Sequence, residues 1–342
     1  MGALFAQNTL GVATPIVQAP MAGVTTPEFV AASANAGILG SIGAGYLTAE
    51  ATRNCIREVK SLTDKSFSVN LFVPEKVDAS DEQIAQAHEA LKPFLQELNL
   101  LEEPVKLSTS EFAEQVKVVV DEGVKICSFT FGIPDQEIIS YLHKHNVYCI
   151  GTATTVDEAI AVEQAGLDAV VLQGGEAGGH RGTFLEPFVL IPTIELLKTT
   201  TGKIKLPIIT AGGIMSKQQM DEMLDAGADA VQIGTALLVA EESGAHPLHK
   251  EAILQSEKDV TALTAAFSGK AARGILNDFM TYMKDQPIAP YPVQNDLTKE
   301  IRKEAGQQGK AEYLSMWAGK NVFLVKAGTV EEIVQRFLIE DH

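Results

Sequence analysis

Residues 164–173, QAGLDAVVLQ, and residues 225–234, DAGADAVQIG, are nearly the same phrase used twice. In each, a Gly closes a helical pattern, an Asp follows, and an almost uninterrupted apolar run begins. A glycine there supplies the left-handed residue that ends a helix. An apolar run without polar alternation is what a parallel strand buried on both faces requires. Working outward, the same grammar recurs along the chain. Short apolar runs stand at Pro15–Pro20, Ile38–Gly43, Phe67–Val73, Val124–Phe131, Val147–Gly151, Ala169–Gln173, Leu206–Ala211 and Ala230–Gly234. NAGILG and DEGVKI repeat the Gly stop, and Thr26-Pro27-Glu28, Thr48, Thr155 and Ser216 open helices with capping hydroxyls.

Eight strand–helix units imply an α/β chain folded as a (β/α)8 TIM barrel, a fold of about 250 residues. A doubly wound sheet is the alternative, but the turn after the first run lacks GxGxxG. The 342 residues exceed the barrel in two places. A polar helical insertion is expected over about 75–120, after the third run. Residues 242–342 are expected to form a small C-terminal helical domain capping the barrel of residues 1–241.

Composition narrows the function. With 44 acidic and 27 basic residues the net charge is −17, unsuited to nucleic acid or an anionic membrane. Three scattered cysteines, Cys55, Cys127 and Cys149, with no CxxC, argue against a disulfide framework or structural zinc and fit a reducing cytoplasm. No basic leader precedes Glu28, the first charge, and neither early uncharged stretch reads as a membrane span.

In such a barrel the chemistry belongs in the loops after the strands. Gln173–Gly182, QGGEAGGHRG, holds five glycines around His180 and Arg181, with Gly178 and Gly179 directly before the histidine. Backbone can approach a ligand closely there, and His180 is the expected catalytic residue. The remaining histidines, among them His143, His145, His246 and His249, read as structural. Gly212-Gly213 after the seventh run and Gly234-Thr235 after the eighth stand where barrels cradle phosphate on backbone N–H groups. Asn70 interrupts an apolar strand; its amide serves either a strand-end hydrogen bond or the edge of a heterocyclic ring. The tight turn Ala19–Gly23 could pass against a flat ring. No Walker, HExxH or EF-hand pattern is present, and no metal is expected.

The ordered phrases QAPMAGVTTPEF, SVNLFVP, FTFGIP, GTATTVDEA, QGGEAGGHRGTF, AGGI, QIGTA, AFSGKAARG and YPVQNDL resemble the nitronate monooxygenase family, formerly 2-nitropropane dioxygenases, in its bacterial class I branch. The likeness runs from about residue 15 to Trp317. It implies an FMN-bound barrel that oxidises alkyl nitronates, such as propionate 3-nitronate, with O2 and without nicotinamide. By the same resemblance, Asn70, Gln173, Gly178, Gly213, Gln232, Ile233, Gly234 and Thr235 would bind FMN, with Met21 and Ala22 near the flavin. His180 would be catalytic, and Tyr291 and Lys299 would face substrate. Two positions depart from relatives: Thr130, where some carry His, and Asn295, where some carry Tyr. An anionic substrate entering an acidic protein needs local cations, and Arg181, Lys299 and Arg302 are the candidates. The alternative activity is an FMN-dependent enoyl-acyl-carrier-protein reductase using NAD(P)H. A homodimer is left open as the assembly.

Overall fold

The computed structural model describes residues 2–76, 79–101 and 106–339. Residues 77–78 and 102–105 of the expected insertion, and residues 1 and 340–342 of the two expected domains, lie outside the described residues.

The eight runs become eight parallel strands: β1 Ile16–Gln18, β2 Gly40–Gly43, β3 Phe67–Phe72, β4 Ile126–Thr130, β5 Tyr148–Ala153, β6 Ala169–Gln173, β8 Ile208–Ala211 and β9 Ala230–Ile233. Their order is β1-β9-β8-β6-β5-β4-β3-β2. The ends meet through the Val17–Leu39 bridge, with Gln18 N–H donating to Leu39 O at 2.9 Å and Leu39 N–H to Ile16 O at 3.0 Å. The sheet is a closed barrel. A short β7, Gly179–His180, interrupts the count inside the glycine-rich loop, and β10 (Thr261–Thr264) and β11 (Ala272–Ile275) lie in the tail.

Helix α1, Gly2–Phe5, begins the chain. The barrel's helical layer then starts with α2 (Pro27–Asn35) and α3 (Ala49–Leu62). Helix α4 (Asp81–Glu97) is the insertion, and α5 (Phe112–Asp121), α6 (Gln136–Lys144), α7 (Val156–Gln164), α8 (Thr193–Thr200) and α9 (Lys217–Asp225) resume the layer. The Thr26, Thr48, Thr155 and Ser216 hydroxyls accept the N–H groups of Phe29, Ala51, Glu158 and Gln219, as their capping role demands. Gly166 and Gly227, from the two matching phrases, sit at φ +83° and +110°, where a side chain would be strained.

After β9 the chain makes the short α10 (Thr235–Leu238), α11 (Pro247–Leu254), α12 (Asp278–Met283), α13 (Val293–Gln307) and finally α14 (Val330–Leu338). The tail is not wholly a cap. Val330, Ile333, Val334 and Phe337, spaced for one helical face, are buried in the barrel's outer core, and α14 packs on α2 and α9. It is the eighth barrel helix, displaced to the end of the chain by the excursion from α11 to α13. Removing the Phe337 ring would cost about 3–5 kcal/mol.

The excursion and α4 share one core, in which Leu91, Phe94 and Leu98 pack with Phe279, Met280, Ile301 and Tyr313. The insertion and the tail thus form one cover over the mouth. At the opposite end, Phe5, Ala6 and Leu10 plug the barrel against Val17, Ile126, Ile150 and Val171. No helix among the described residues is long and apolar enough to cross a membrane.

Candidate active site

His180 is held from three sides. Strand β7 pairs with β11, setting His180 opposite Ala272. The Gln173 side chain donates to His180 O at 2.9 Å and accepts Gly182 N–H at 2.9 Å. His180 Nε2 meets Ser268 Oγ at 2.7 Å, while Nδ1 has no partner among the described residues. Rings enclose the imidazole: Phe131 at 5.8 Å and Trp317 at 5.3 Å between centroids. Phe131 in turn meets Phe72 at 4.6 Å and Tyr291 at 5.3 Å, and the Tyr291 hydroxyl donates to that of Tyr46. Burial pushes Tyr291 well above the ordinary phenol and raises Tyr46 to about 12, so both remain protonated.

Burial lowers the His180 pKa to about 3, and the positive charges of Arg302 and Lys270 push the same way. That is far below the near-neutral titration of a free imidazole. In the resting protein the imidazole is neutral, because a desolvated cation between two cations is unfavourable.

The expected phosphate loops lie side by side. Among the described residues, no protein acceptor takes the N–H groups of Gly213, Gly234 or Thr235. Tail residues brace these loops: Asn321 donates to Gly213 O at 2.6 Å, and Gly319 N–H to Thr235 Oγ1 at 3.0 Å. A Cβ on Gly178 would stand 2.5 Å from Ala318 C, so only glycine lets the tail lie on the loop. A Cβ on Gly213 would come within 3.1 Å of Glu176, at a backbone φ of +73°. Unpaired N–H donors on neighbouring glycine loops are what a cradle for phosphate oxygens requires. A flavin mononucleotide fits that donor set.

Several expected contributors act otherwise than by their side chains. Ile233 is 1% exposed in the outer core, so it can offer only backbone. Gln173 spends both amide atoms on the histidine loop. Asn70 donates to Ser128 Oγ at 2.9 Å and Thr130 Oγ1 at 3.2 Å, leaving Oδ1 without a partner among the described residues. The strand-end reading thus holds for the donor side of the amide. Met21, Ala22, Gly179, Gly212 and Gln232 are part-buried at the strand ends, and the Met21 sulfur lies 3.8 Å from where a Gly234 Cβ would be.

The cations need correction. Arg181 is 1% exposed and donates to Gly174 O and Gln173 O, so it braces the glycine loop instead of meeting substrate. Lys299 is exposed on α13. Arg302 is enclosed, donating to Asn295 Oδ1 at 2.8 Å, so Asn295 does the anchoring at the position where a tyrosine was noted. The second cation near the histidine, after Arg302, is Lys270, whose Nζ lies 4.7 Å from the Phe131 ring centre. Sequence reading passed over it. The signal was there in AFSGKAARG, where Ser268 and Lys270 interrupt a run of small and apolar residues.

Comparisons with known proteins give the chain its family. The sequence pattern of the family described as nitronate monooxygenase matches residues 5–340. A probable nitronate monooxygenase of Staphylococcus haemolyticus is 45% identical over 97% of this chain and 95% of its own. Its Staphylococcus aureus (strain Newman) counterpart is 43% identical over 96% and 94%. The chain belongs to the nitronate monooxygenase family. Among solved structures, a nitroalkane oxidase from Streptomyces ansochromogenes superposes with a TM-score of 0.91 at 36% identity, covering 96% of this chain and 95% of that one. FabK from Thermotoga maritima is more distant, with a TM-score of 0.78 at 27% identity over 97% and 94%.

Family membership makes this chain an oxidoreductase of a flavoenzyme class. It also gives the buried carboxylates a context. Glu158, fully buried, accepts the N–H groups of Thr154, Phe184 and Leu185, and Glu176 accepts Thr193 N–H at 2.8 Å. In this nitronate monooxygenase relative, acid groups inside the mouth hold loops in place.

Proposed function

We propose that the protein is an FMN-dependent nitronate monooxygenase, acting in the cytoplasm on alkyl nitronates such as propionate 3-nitronate. O2 is the oxidant, and a carbonyl compound and nitrite are the products. The observation that carries the substrate form is the neutral His180. An imidazole whose pKa has fallen to about 3 is a weak base, poorly matched to taking a carbon-bound proton from a neutral nitroalkane. A nitronate arrives already deprotonated and needs no such base.

FMN, when bound, supplies the redox chemistry, taking electrons from the nitronate and passing them to O2. Gly213, Gly234 and Thr235 would hold its phosphate through their N–H groups, and Asn70 Oδ1 would meet a ring N–H. The single phosphate cradle, without a Rossmann fingerprint, favours FMN over a dinucleotide. The remaining roles belong to the chain itself. Ser268 O–H can donate either to Lys270 O at 3.2 Å or to His180 Nε2 at 2.7 Å; an anion in the pocket favours the second, in which the Nδ1–H faces substrate. Phe131, Tyr291 and Trp317 wall the imidazole and exclude water, which strengthens that charged hydrogen bond.

The test is oxygen uptake by the purified protein with propionate 3-nitronate, without NADH or NADPH, alongside identification of the released flavin. Uptake with stoichiometric FMN supports the reading. NADH oxidation with an enoyl thioester and no nitronate turnover would overturn it.

A further inference from the structure

Lys270 belongs to the tail, between β10 and β11, yet its ammonium pairs with Glu75, which follows β3. The lysine side chain is 17% exposed and the glutamate 32%, so the more open partner is the carboxylate. Lys270 Nζ also lies 5.8 Å from the Tyr291 ring centre. Phe131 thus carries Lys270 and His180 around one ring, at 4.7 and 5.8 Å from its centre. Phe131 keeps that place with a backbone φ of +74°, a conformation unfavourable for a bulky residue and sustained only where the surroundings impose it.

We propose that Lys270 is an anion subsite for a carboxylate carried by the substrate, and that Glu75 is its resident competitor, displaced when substrate binds. This rests on the nitronate reading above for the reacting end of the molecule. An enclosed ammonium without a counterion is costly, so the pocket needs an internal anion until a ligand brings one. Glu75 suits that task, since it can turn outward to water while Lys270 remains between two rings. The other cation acting on His180, Arg302, already donates to Asn295 and Thr298. Asp296, the nearby carboxylate on α13, accepts from Ser108. For the propionate 3-nitronate named above, this subsite would set the carboxylate at Lys270 and the reacting carbon toward His180, on either side of Phe131.

Trp317, the chain's only tryptophan, stands 5.3 Å from His180 and reports occupancy by fluorescence. Propionate, an unreactive carboxylate, is titrated into the purified full chain, and kcat/KM is measured for propionate 3-nitronate and for ethyl nitronate. Lys270→Met keeps the stem against Phe131 and should abolish the saturable propionate response. It should lower kcat/KM for the carboxylated nitronate about ten- to a hundredfold more than for the plain one. Glu75→Gln should tighten propionate binding by about two- to fivefold, the worth of a part-exposed ion pair. Equal losses on both nitronates in Lys270→Met, or weaker propionate binding in Glu75→Gln, would overturn the proposal. Lys270→Gln, with melting curves for all variants, takes the place of Lys270→Met should the latter not fold. A wild type that binds propionate but turns over no nitronate would count against the activity and not against the subsite.

Discussion

The two ends of the barrel are built from the same phrase and treat its polar groups in opposite ways. At the bottom, Asp168 Oδ2 accepts Cys149 N–H at 2.7 Å, and Asp229 Oδ2 accepts Ile208 N–H at 3.0 Å. Each carboxylate closes the start of the neighbouring strand, and the plug of Phe5, Ala6 and Leu10 shuts out water. At the mouth, the same two strands end in Gln173-Gly174 and Gln232-Ile233-Gly234. Beside the second of these ends, the N–H groups of Gly213, Gly234 and Thr235 have no protein acceptor among the described residues, and a neutral histidine stands among rings nearby. Buried polar groups are normally paired within the protein. The two bottom carboxylates and the strand N–H groups they receive obey that rule, whereas the loop N–H groups of Gly213, Gly234 and Thr235 find no protein acceptor among the described residues.

The largest effect that could break this comparison is at the cradle. Gly213→Val puts a β-branched side chain at φ +73° and against Glu176, so flavin retention should be lost altogether while the far-ultraviolet circular dichroism stays at the parental level. A variant that purifies with full flavin would move the phosphate elsewhere. Next comes His180→Asn. Losing a hydrogen bond to a charged substrate should cut kcat/KM for nitronates about 10–100-fold with flavin still bound. Parallel loss of flavin and turnover would make His180 a loop anchor only.

A bottom-face variant should behave in the reverse way. Asp229→Ala should cost about 1–3 kcal/mol in denaturant unfolding, leaving kcat/KM per bound flavin at the parental value. Impaired turnover with unchanged stability would erase the distinction between the two ends. The smallest effect is in the pH dependence of stability. His180 and His249 titrate near 3 and 4 in the folded chain, both because of burial, against about 6.5 when unfolded. Below pH 6.5 the unfolded chain therefore binds more protons, and stability falls as pH drops, by at most about 1.4 kcal/mol per unit per histidine. Melting temperature should decline from pH 7 to pH 5, and His249→Gln should flatten that slope. A level profile in the parent would show that these side chains are not buried as described.

The barrel was legible in the sequence because its strands are apolar on both faces and its helices carry their own caps. The Asp-Ala-Val phrases and the Thr and Ser caps are local signals, and they landed within a residue or two of the observed elements. The eighth helix was not legible as such. The Val330, Ile333, Val334 and Phe337 stripe is plain, but nothing in it says that its partners are α2 and α9, some three hundred and one hundred residues earlier. The site divides in the same way. His180 and the glycine loops announce themselves by composition. Lys270, Ser268 and Tyr46 do not, because their places are fixed by β11 pairing with β7 and by the tail folding over α4. Arg181 misled for a related reason: beside a histidine in a glycine-rich loop a cation suggests substrate, yet its guanidinium turns back onto the carbonyls of its own loop.

The measurement that bears most directly on the account is an anaerobic titration of the purified, flavin-loaded protein followed by absorbance. Propionate 3-nitronate should bleach the flavin band near-stoichiometrically, colour should return on admitting air, and NADH should leave the band unchanged. Bleaching by NADH with none by nitronate would contradict it.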